Sequence, residues 1–157
     1  MNPENKSKPK VLYVDDEVHN LTAFRANFRR DFEIFTAESG EEGLRILTTE
    51  WPEVVVTDQR MPQMTGIEFL MKVQAITNAP IRLLLTGYSD INAVIDAINK
   101  GQVYRYLTKP WNDDELRNAV LSAHELFELR KHNAELLKAL ERANDQLEFL
   151  LRQKLLS

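Results

Sequence analysis

Five side chains in this sequence share one position: each stands at the end of a short apolar segment or just after it. They are Asp15, Asp16, Asp58, Thr86 and Lys109. If the segments are parallel strands, their carboxyl ends lie at one edge of a sheet, where open sheets bind their ligands. Three carboxylates, one hydroxyl and one ammonium are therefore predicted to converge on a single site.

This combination of groups is suited to phosphoryl chemistry. Clustered carboxylates repel one another, so at neutral pH they need a bound cation or shifted pKa values. Oxygen ligands with no histidine or cysteine beside them favour Mg²⁺ over zinc. A carboxylate can attack phosphorus to form an aspartyl phosphate, while the metal and a lysine neutralise charge on the transferring group. A threonine hydroxyl could then hydrogen-bond the product.

Taken singly, each of these residues has a more ordinary interpretation. An Asp after a strand commonly caps a helix or forms a turn, and a Lys before Pro is commonly solvated. The pair Asp15 and Asp16 is poor capping chemistry but well suited to metal binding. Because the set recurs at four strand ends, we favour the functional interpretation.

The elements that must position the site alternate along the chain. The apolar segments that predict strands cover residues 11–14, 32–35, 54–56, 81–85 and 103–107. Four stretches with helical spacing of apolar residues lie between them. Strict alternation, with almost uninterrupted apolar strands, predicts an α/β fold with a five-stranded parallel sheet covered by helices on both faces.

The chain changes character after Pro110. Asn112 or Asp113 is suited to capping a helix, and from there to Ser157 the sequence contains neither Gly nor Pro to end it. We therefore predict a disordered tail over 1–9, a folded domain over 10–125 and a helical extension over 126–157.

Composition narrows the class of protein. The formal net charge of −4 argues against a nonspecific nucleic-acid binder, because such proteins present basic surfaces to phosphates. We find no signal peptide and no apolar run long enough to cross a bilayer. The absence of cysteine fits a reducing compartment. We expect a cytoplasmic protein that binds neither nucleic acid nor membrane.

About 125 residues at the start of the chain resemble a CheY-like receiver domain of a bacterial response regulator. The matching segments are VLYVDDE at 11–17, DQRMP at 58–62 with Gly66, LTG at 85–87 and YLTKP at 106–110. The resemblance implies a doubly wound (βα)5 fold of the flavodoxin/CheY type. It also implies a two-component phosphorelay, in which a sensor histidine kinase or phosphotransfer protein donates the phosphoryl group.

Position in these motifs also implies the metal site. By this resemblance, Asp58 is expected to be the phosphoacceptor and a ligand of Mg²⁺. Asp16 binds the ion directly, Asp15 mainly through water, and the Arg60 backbone carbonyl is a further ligand. In this family the positions of the Arg60 and Tyr88 side chains influence hydrolysis of the acyl phosphate, and we expect their bulk to lengthen its lifetime.

The remaining roles concern the phosphoryl group and the response to it. The resemblance implies that Lys109 and Thr86 contact the phosphoryl group and that the Lys109–Pro110 peptide bond is cis. By the same resemblance, Thr86 and Tyr106 are expected to form a switch pair, in which the hydroxyl moves toward the phosphate and the ring turns inward. Such a protein catalyses only its own phosphorylation and dephosphorylation, so we do not predict a turnover enzyme.

The helical extension carries an apolar heptad pattern that predicts a coiled-coil homodimer. The predicted dimer seam consists of Leu126, Leu129, Asn133, Leu136, Leu140, Leu147 and Leu150. A second seam, nearly as good, runs through Leu137, Leu140, Asn144, Leu147 and Leu151. Alternatively, the helix folds back on its own domain or is a linker to an output domain.

Two other functions are compatible with the sequence. Acidic residues at strand ends also suit a Mg²⁺-dependent phosphohydrolase, although this domain is too small to provide the cap that such enzymes need. The second alternative is a structural dimerisation or adaptor module with a vestigial receiver site, and the intact set of five site residues argues against it.

Overall fold

The computed structural model of the chain describes residues 7–157, except for the side chain of Tyr88. Five strands form one sheet: β1 (Lys10–Val14), β2 (Glu33–Ala37), β3 (Val54–Asp58), β4 (Ile81–Thr86) and β5 (Arg105–Thr108). Their order is β2-β1-β3-β4-β5, and every neighbouring pair is parallel. This is the doubly wound order of the flavodoxin/CheY type, so the predicted fold class is confirmed.

Helices connect the strands and flank the sheet. They are α1 (Val18–Phe28), α2 (Gly40–Glu50), α3 (Gly66–Gln74), α4 (Ile91–Asn99) and α5 (Asp113–Leu156), and a short 3-10 helix, Tyr88–Asp90, precedes α4. Side chains cap three of these helices. Ser39, Thr65 and Asn112 each accept a hydrogen bond from the backbone N–H three residues later, which pairs one of the free donors at a helix start.

Each strand differs from the predicted segment at one end or both, and two strands begin later than the apolar pattern predicts. β2 begins at Glu33, because the Phe32 N–H still donates to the Phe28 carbonyl at the end of α1. β5 begins at Arg105, although Val103 before it is buried in the core. Both apolar residues pack inward without joining the sheet, so burial alone misplaces these boundaries by one or two residues.

The core consists of one apolar layer on each face of the sheet. One layer packs Tyr13 and Val56 against α1 and against Leu116 and Val120 of α5. The other layer packs Val14, Val55 and neighbouring strand residues against α2, α3 and α4. Because successive residues of a strand point to opposite faces, each central strand supplies both layers, and this is why its sequence is apolar almost throughout.

The chain forms two compact units, one ending at Phe127 and the other formed by Glu128–Ser157. In the second unit every residue is exposed. The predicted tail over 1–9 lies mostly outside the described residues. Pro9 belongs to the folded unit, since it is buried and its carbonyl accepts a hydrogen bond from the Glu33 N–H.

Among the helices within 7–157, none combines the length and the apolar character that a bilayer crossing requires.

Candidate functional site

Three carboxylates meet at the carboxyl edge of the sheet. Asp15 and Asp16 follow β1, and Asp58 is the last residue of β3, which lies beside β1. One carboxylate oxygen from each residue lies within 4.8 Å of the others. Asp15 and Asp58 are buried, whereas Asp16 is exposed. The predicted convergence of acidic side chains therefore exists in the structure.

Lys109 reaches this cluster from the end of β5. Its Nζ lies 3.0 Å from Asp58 Oδ1 and 3.3 Å from Asp15 Oδ2. The Lys109–Pro110 peptide bond is cis, which is the geometry that the resemblance implies. The ammonium therefore lies between two buried carboxylates and offsets part of their mutual repulsion.

The pKa values of this pair respond to burial and to each other. Burial raises the pKa of Asp58, while the hydrogen bond and charge of Lys109 act in the opposite direction without cancelling the effect. Burial also lowers the pKa of Lys109, but its interactions with Asp58 and then Asp15 outweigh that effect, so the pKa is raised. Lys109 is therefore a cation at neutral pH.

Asp15 is held by hydrogen bonds to both of its oxygens. Oδ1 accepts from the Glu17 N–H at 2.9 Å. Oδ2 accepts from Tyr13 Oη at 2.7 Å, from Asn20 Nδ2 at 3.0 Å and from Lys109 Nζ at 3.3 Å. Burial, followed by the bond to Asp15, raises the pKa of Tyr13, so its hydroxyl keeps the proton that it donates. The carboxylate orientation is thus fixed by four donors.

A close approach of two chain segments fixes the loop after Asp58. The Gly66 N–H donates to the Gln59 carbonyl at 3.0 Å, and the Ile67 N–H donates to Gln59 Oε1 at 2.9 Å. A Cβ on Gly66 would lie only 2.3 Å from the Asp58 carbonyl oxygen. Only glycine allows this contact, which explains why the Asp58 segment and Gly66 occur together in the motif.

The β4 side of the site has fewer contacts. Thr86 is buried at the strand end, and its hydroxyl donates to the Gly87 carbonyl at 3.1 Å. Nothing lies within 4 Å of a Cβ placed on Gly87. Tyr106 is half-buried, and its side chain packs against the apolar layer that includes α4. The structure thus brings Thr86 to the site edge, with its hydroxyl bonded within its own loop.

Arg60 adds a cation at the rim of the site. Its Nε lies 3.3 Å from Asp90 Oδ2, and its Nη2 donates to Ser89 Oγ. The guanidinium therefore contacts the 3-10 helix that leads into α4. The Tyr88 side chain lies outside the described part of the chain, and the Arg60 carbonyl stays a predicted ligand.

Three polar residues of the site escaped the sequence prediction: Tyr13, Asn20 and Gln59. Tyr13 lies in β1, two residues before Asp15, so period-2 spacing continued one residue past the strand end could have placed the two side chains on one face. Asn20 in α1 and Gln59 in the turn are ordinary surface residue types. No signal in the sequence separates them from solvated side chains.

The donor set fits a hard divalent cation. All available ligands are oxygens, which Mg²⁺ prefers, and it usually takes one or two carboxylates and retains several waters. Both oxygens of Asp15 already accept hydrogen bonds, whereas Asp16 is exposed and the polar contacts found for Asp58, with the Gln59 N–H and Lys109 Nζ, are both made by its Oδ1. Asp16 and Asp58 are therefore suited to direct coordination, and Asp15 to contact through water.

Comparison with known proteins identifies the family. Residues 11–121 match the response regulator receiver domain. The chain belongs to this family. Receiver domains are signalling modules of two-component systems, and the parallel sheet and acidic edge described above are those of a receiver.

Individual relatives agree with this identification. The chain is 36% identical over 121 residues to the hydrogenase transcriptional regulatory protein HoxA of Bradyrhizobium diazoefficiens, a match that covers 77% of this chain and 25% of that protein. It is 30% identical over 112 residues to sporulation initiation phosphotransferase F of Bacillus subtilis, covering 71% of this chain and 90% of the relative.

Among solved structures, a crystal structure described as adenylate cyclase from Rhodopirellula baltica superimposes with a TM-score of 0.80 and 35% identity. It covers 83% of this chain, which covers 98% of that one. The receiver spans about a quarter of the length of the HoxA proteins it matches.

Proposed function

We propose that this receiver accepts a phosphoryl group on Asp58 from a phosphohistidine of a sensor histidine kinase or a phosphotransfer protein. One observation carries the proposal: Lys109 Nζ lies 3.0 Å from Asp58 Oδ1 and 3.3 Å from Asp15 Oδ2, at the same edge as Asp16. A buried carboxylate beside a cation and two further acids is suited to receive a phosphoryl group. The protein would act in the cytoplasm, where we expect its donor.

In the proposed step, a carboxylate oxygen of Asp58 attacks phosphorus with one of its electron pairs. The bond between phosphorus and the imidazole nitrogen breaks, and that nitrogen keeps the bonding pair. The product is an acyl phosphate, which water later hydrolyses to the carboxylate and inorganic phosphate. Lys109 Nζ is placed to contact the transferring oxygens, because it already contacts Asp58.

The proposed metal site uses Asp16 and Asp58 directly, Asp15 through water, and the Arg60 backbone carbonyl. Bound Mg²⁺ would neutralise charge on the phosphoryl oxygens. The residues of the chain orient this site: Tyr13 and Asn20 hold Asp15 through its Oδ2.

The proposed response begins at Thr86. Its hydroxyl exchanges the Gly87 carbonyl, 3.1 Å away, for a phosphoryl oxygen. Tyr106, now half-buried, then turns further inward toward the space beside Thr86. The proposal is supported by the position of Thr86, whose backbone carbonyl also accepts a hydrogen bond from the Lys109 N–H at 3.0 Å.

Phosphorylation by acetyl phosphate with Mg²⁺ tests the central step. We expect intact mass spectrometry to show one phosphoryl group on the native protein and none on Asp58→Asn. Asp96→Asn is the matched control, since Asp96 is an exposed carboxylate paired with Lys100 on α4. Native protein that stays unmodified would instead favour the adaptor with a vestigial site, and steady turnover of small phosphate esters would favour a phosphohydrolase.

The second unit, Glu128–Ser157, is the proposed reporter of the switch, through a parallel homodimer. An exposed apolar stripe on a helix needs a partner surface. Leu129, Leu136, Leu140 and Leu150 are each more than half exposed. Leu126 packs against the core of the first unit, so the proposed seam starts at Leu129. With Leu126 as heptad position a, Asn133 is also an a position, and a single Asn there favours parallel, in-register pairing.

Light scattering with and without beryllofluoride and Mg²⁺ tests the dimer. A dimer in both states indicates a constitutive coiled coil, and a dimer only with the phosphoryl mimic indicates controlled assembly. Leu136→Glu/Leu150→Glu should break the proposed seam, while Leu137→Glu/Leu151→Glu should break only the second one. A monomer under every condition would contradict the homodimer and favour a helix that folds back.

A further inference from the structure

Arg60 makes a contact that the proposed chemistry does not use. Arg60 follows Asp58 by two positions in the sequence, and its side chain extends to the 3-10 helix Tyr88–Asp90. There its Nε lies 3.3 Å from Asp90 Oδ2, and its Nη2 donates to Ser89 Oγ. The guanidinium thus links the loop of the acid site to the first turn of the helical segment that leads into α4.

This link is open to water on the Arg60 side, while the Asp90 side chain is 27% exposed. The Arg60 side chain is 72% exposed, and exposed ion pairs contribute little to stability because water screens them and ordering the side chains opposes them. Neither the 3-10 helix Tyr88–Asp90 nor α4 has a side-chain cap at its start. Gly87 has no side chain, and Asp90 makes no capping hydrogen bond. The Asp90 carboxylate is instead paired with Arg60.

A phosphoryl group on Asp58 would change the charge balance beside Arg60. A phosphate carries about −1.5 to −2 charges at neutral pH and has three strong acceptor oxygens. Lys109 is already in contact with two carboxylates. The guanidinium is always charged, and its planar fork matches phosphate oxygens better than an ammonium does.

We propose that Arg60 is a second cationic contact of the phosphoryl group, and that it leaves Asp90 and Ser89 to make this contact. The exchange would free the first turn before α4 at the moment when Thr86, three residues before Ser89, must move. Arg60 would then couple the charge on Asp58 to the release of the β4–α4 connection. This inference rests on the proposed phosphorylation of Asp58.

Beryllofluoride affinity at saturating Mg²⁺ tests the exchange, because the two partners have opposite expected effects. Arg60→Gln removes a charged contact to the mimic, so we expect affinity to fall on the order of tenfold. Asp90→Asn frees Arg60 from its competitor, so affinity should rise about two- to fivefold, the range that an exposed ion pair accounts for. Fluorine NMR titration measures both values.

A double variant and a charge control sharpen the test. Arg60→Gln/Asp90→Asn should match Arg60→Gln alone, because Asp90 acts only through Arg60. Asp96→Asn removes the same charge from α4 and should leave the affinity unchanged. If the Arg60–Asp90 ion pair only stabilised the fold, both single substitutions would change the beryllofluoride affinity in the same direction. That result would overturn the proposal.

Hydrogen exchange of residues 87–92 gives a second readout. In the native protein beryllofluoride should speed exchange there, and in Arg60→Gln exchange should already be fast without it. Slower exchange in Arg60→Gln would contradict the release. If the native protein does not bind beryllofluoride, the proposed phosphorylation of Asp58 is wrong. If the native protein binds it and Asp90→Asn binds it with the same affinity, only the proposed role of Arg60 is wrong.

Discussion

The two sides of the site are built differently. On the β1–β3 side, Asp15 is fully buried and accepts four hydrogen bonds, and the loop after Asp58 is held against Gly66. On the β4 side, the Thr86 hydroxyl bonds only within its own loop, and a Cβ on Gly87 would have open space around it. Among the described residues, the ion pair found in the segment between β4 and α4 joins Arg60 to Asp90.

This difference separates chemistry from response. Phosphoryl transfer depends on groups held in one geometry before the reaction. A switch needs a segment whose two positions differ by only a few kcal/mol, so that one new charge changes their populations. Buried carboxylates that accept several hydrogen bonds meet the first requirement. A loop held by contacts that are exposed to solvent meets the second. Substitutions on the two sides should therefore have different consequences.

Loss of Lys109 should have the largest effect, because it removes the ammonium that contacts both buried carboxylates, Asp15 and Asp58. In Lys109→Gln we expect phosphorylation by acetyl phosphate to slow about a hundredfold to a thousandfold, the range for losing one preorganised group that stabilises developing charge. Stopped-flow phosphorylation measures the rate. Mg²⁺ affinity should rise in the same variant, since the ammonium no longer offsets the carboxylate charge.

The opposite signs make this prediction specific. A variant that only disturbed the fold would lose both phosphorylation and Mg²⁺ binding. Lys100→Gln is the matched control, because Lys100 is an exposed lysine paired with Asp96 on α4. It should change neither quantity, and weaker Mg²⁺ binding in Lys109→Gln would contradict the electrostatic argument.

Gly66→Ala should destabilise the β1–β3 side of the site, because the added methyl group has no room there. The new Cβ would meet the Asp58 carbonyl oxygen at 2.3 Å, and backbone atoms on both sides must move to relieve the contact. We expect the free energy of unfolding to fall by about 1–3 kcal/mol. Urea denaturation measures this change. Unaltered stability together with normal phosphorylation would show that the Asp58 loop is less constrained than its contacts indicate.

Much of the fold could be predicted because it depends on local pattern. Five apolar segments separated by four stretches of helical spacing define the alternation, and parallel pairing follows from it. The positions of Asp15, Asp58, Thr86 and Lys109 at one edge follow from topology alone. β2 and β5 begin later than the apolar pattern predicts, because Phe32 and Val103 are buried in the core but lie outside the strands.

The parts of the site that could not be predicted depend on side-chain direction and distant contacts. The Arg60–Asp90 pair joins residues thirty positions apart and requires one particular path of the β4–α4 connection. The bonds of Asn20 to Asp15 and of Gln59 to Ile67 require a specific rotamer in each case. No periodicity reports such contacts.

Tyr13→Phe probes the rigid side more gently. The ring stays stacked on Phe24, whose centroid is 4.4 Å away, and only the hydroxyl that donates to Asp15 is lost. Because hydrogen bonds to charged groups contribute about 1.5–3 kcal/mol and three other donors remain, we expect a loss of about 1–2 kcal/mol in unfolding free energy. Urea denaturation measures it, and exposed Tyr104→Phe is the control. Equal effects of the two substitutions would show that the Tyr13 hydroxyl does not orient Asp15.

Gly87→Ala should have the smallest effect on stability, and for that reason it sharpens the comparison. Gly87 has φ −81° and ψ 175°, which an alanine adopts without strain, and no atom lies within 4 Å of its Cβ position. The substitution restricts mainly the unfolded chain, so the free energy of unfolding should rise by about 0.4–1 kcal/mol, opposite in sign to Gly66→Ala. The same urea series measures both variants. A lower free energy of unfolding in Gly87→Ala would mean that the loop at Gly87 is already closely packed. Movement of Thr86 would then require the loss of further contacts on the β4 side of the site, in addition to the Arg60–Asp90 ion pair.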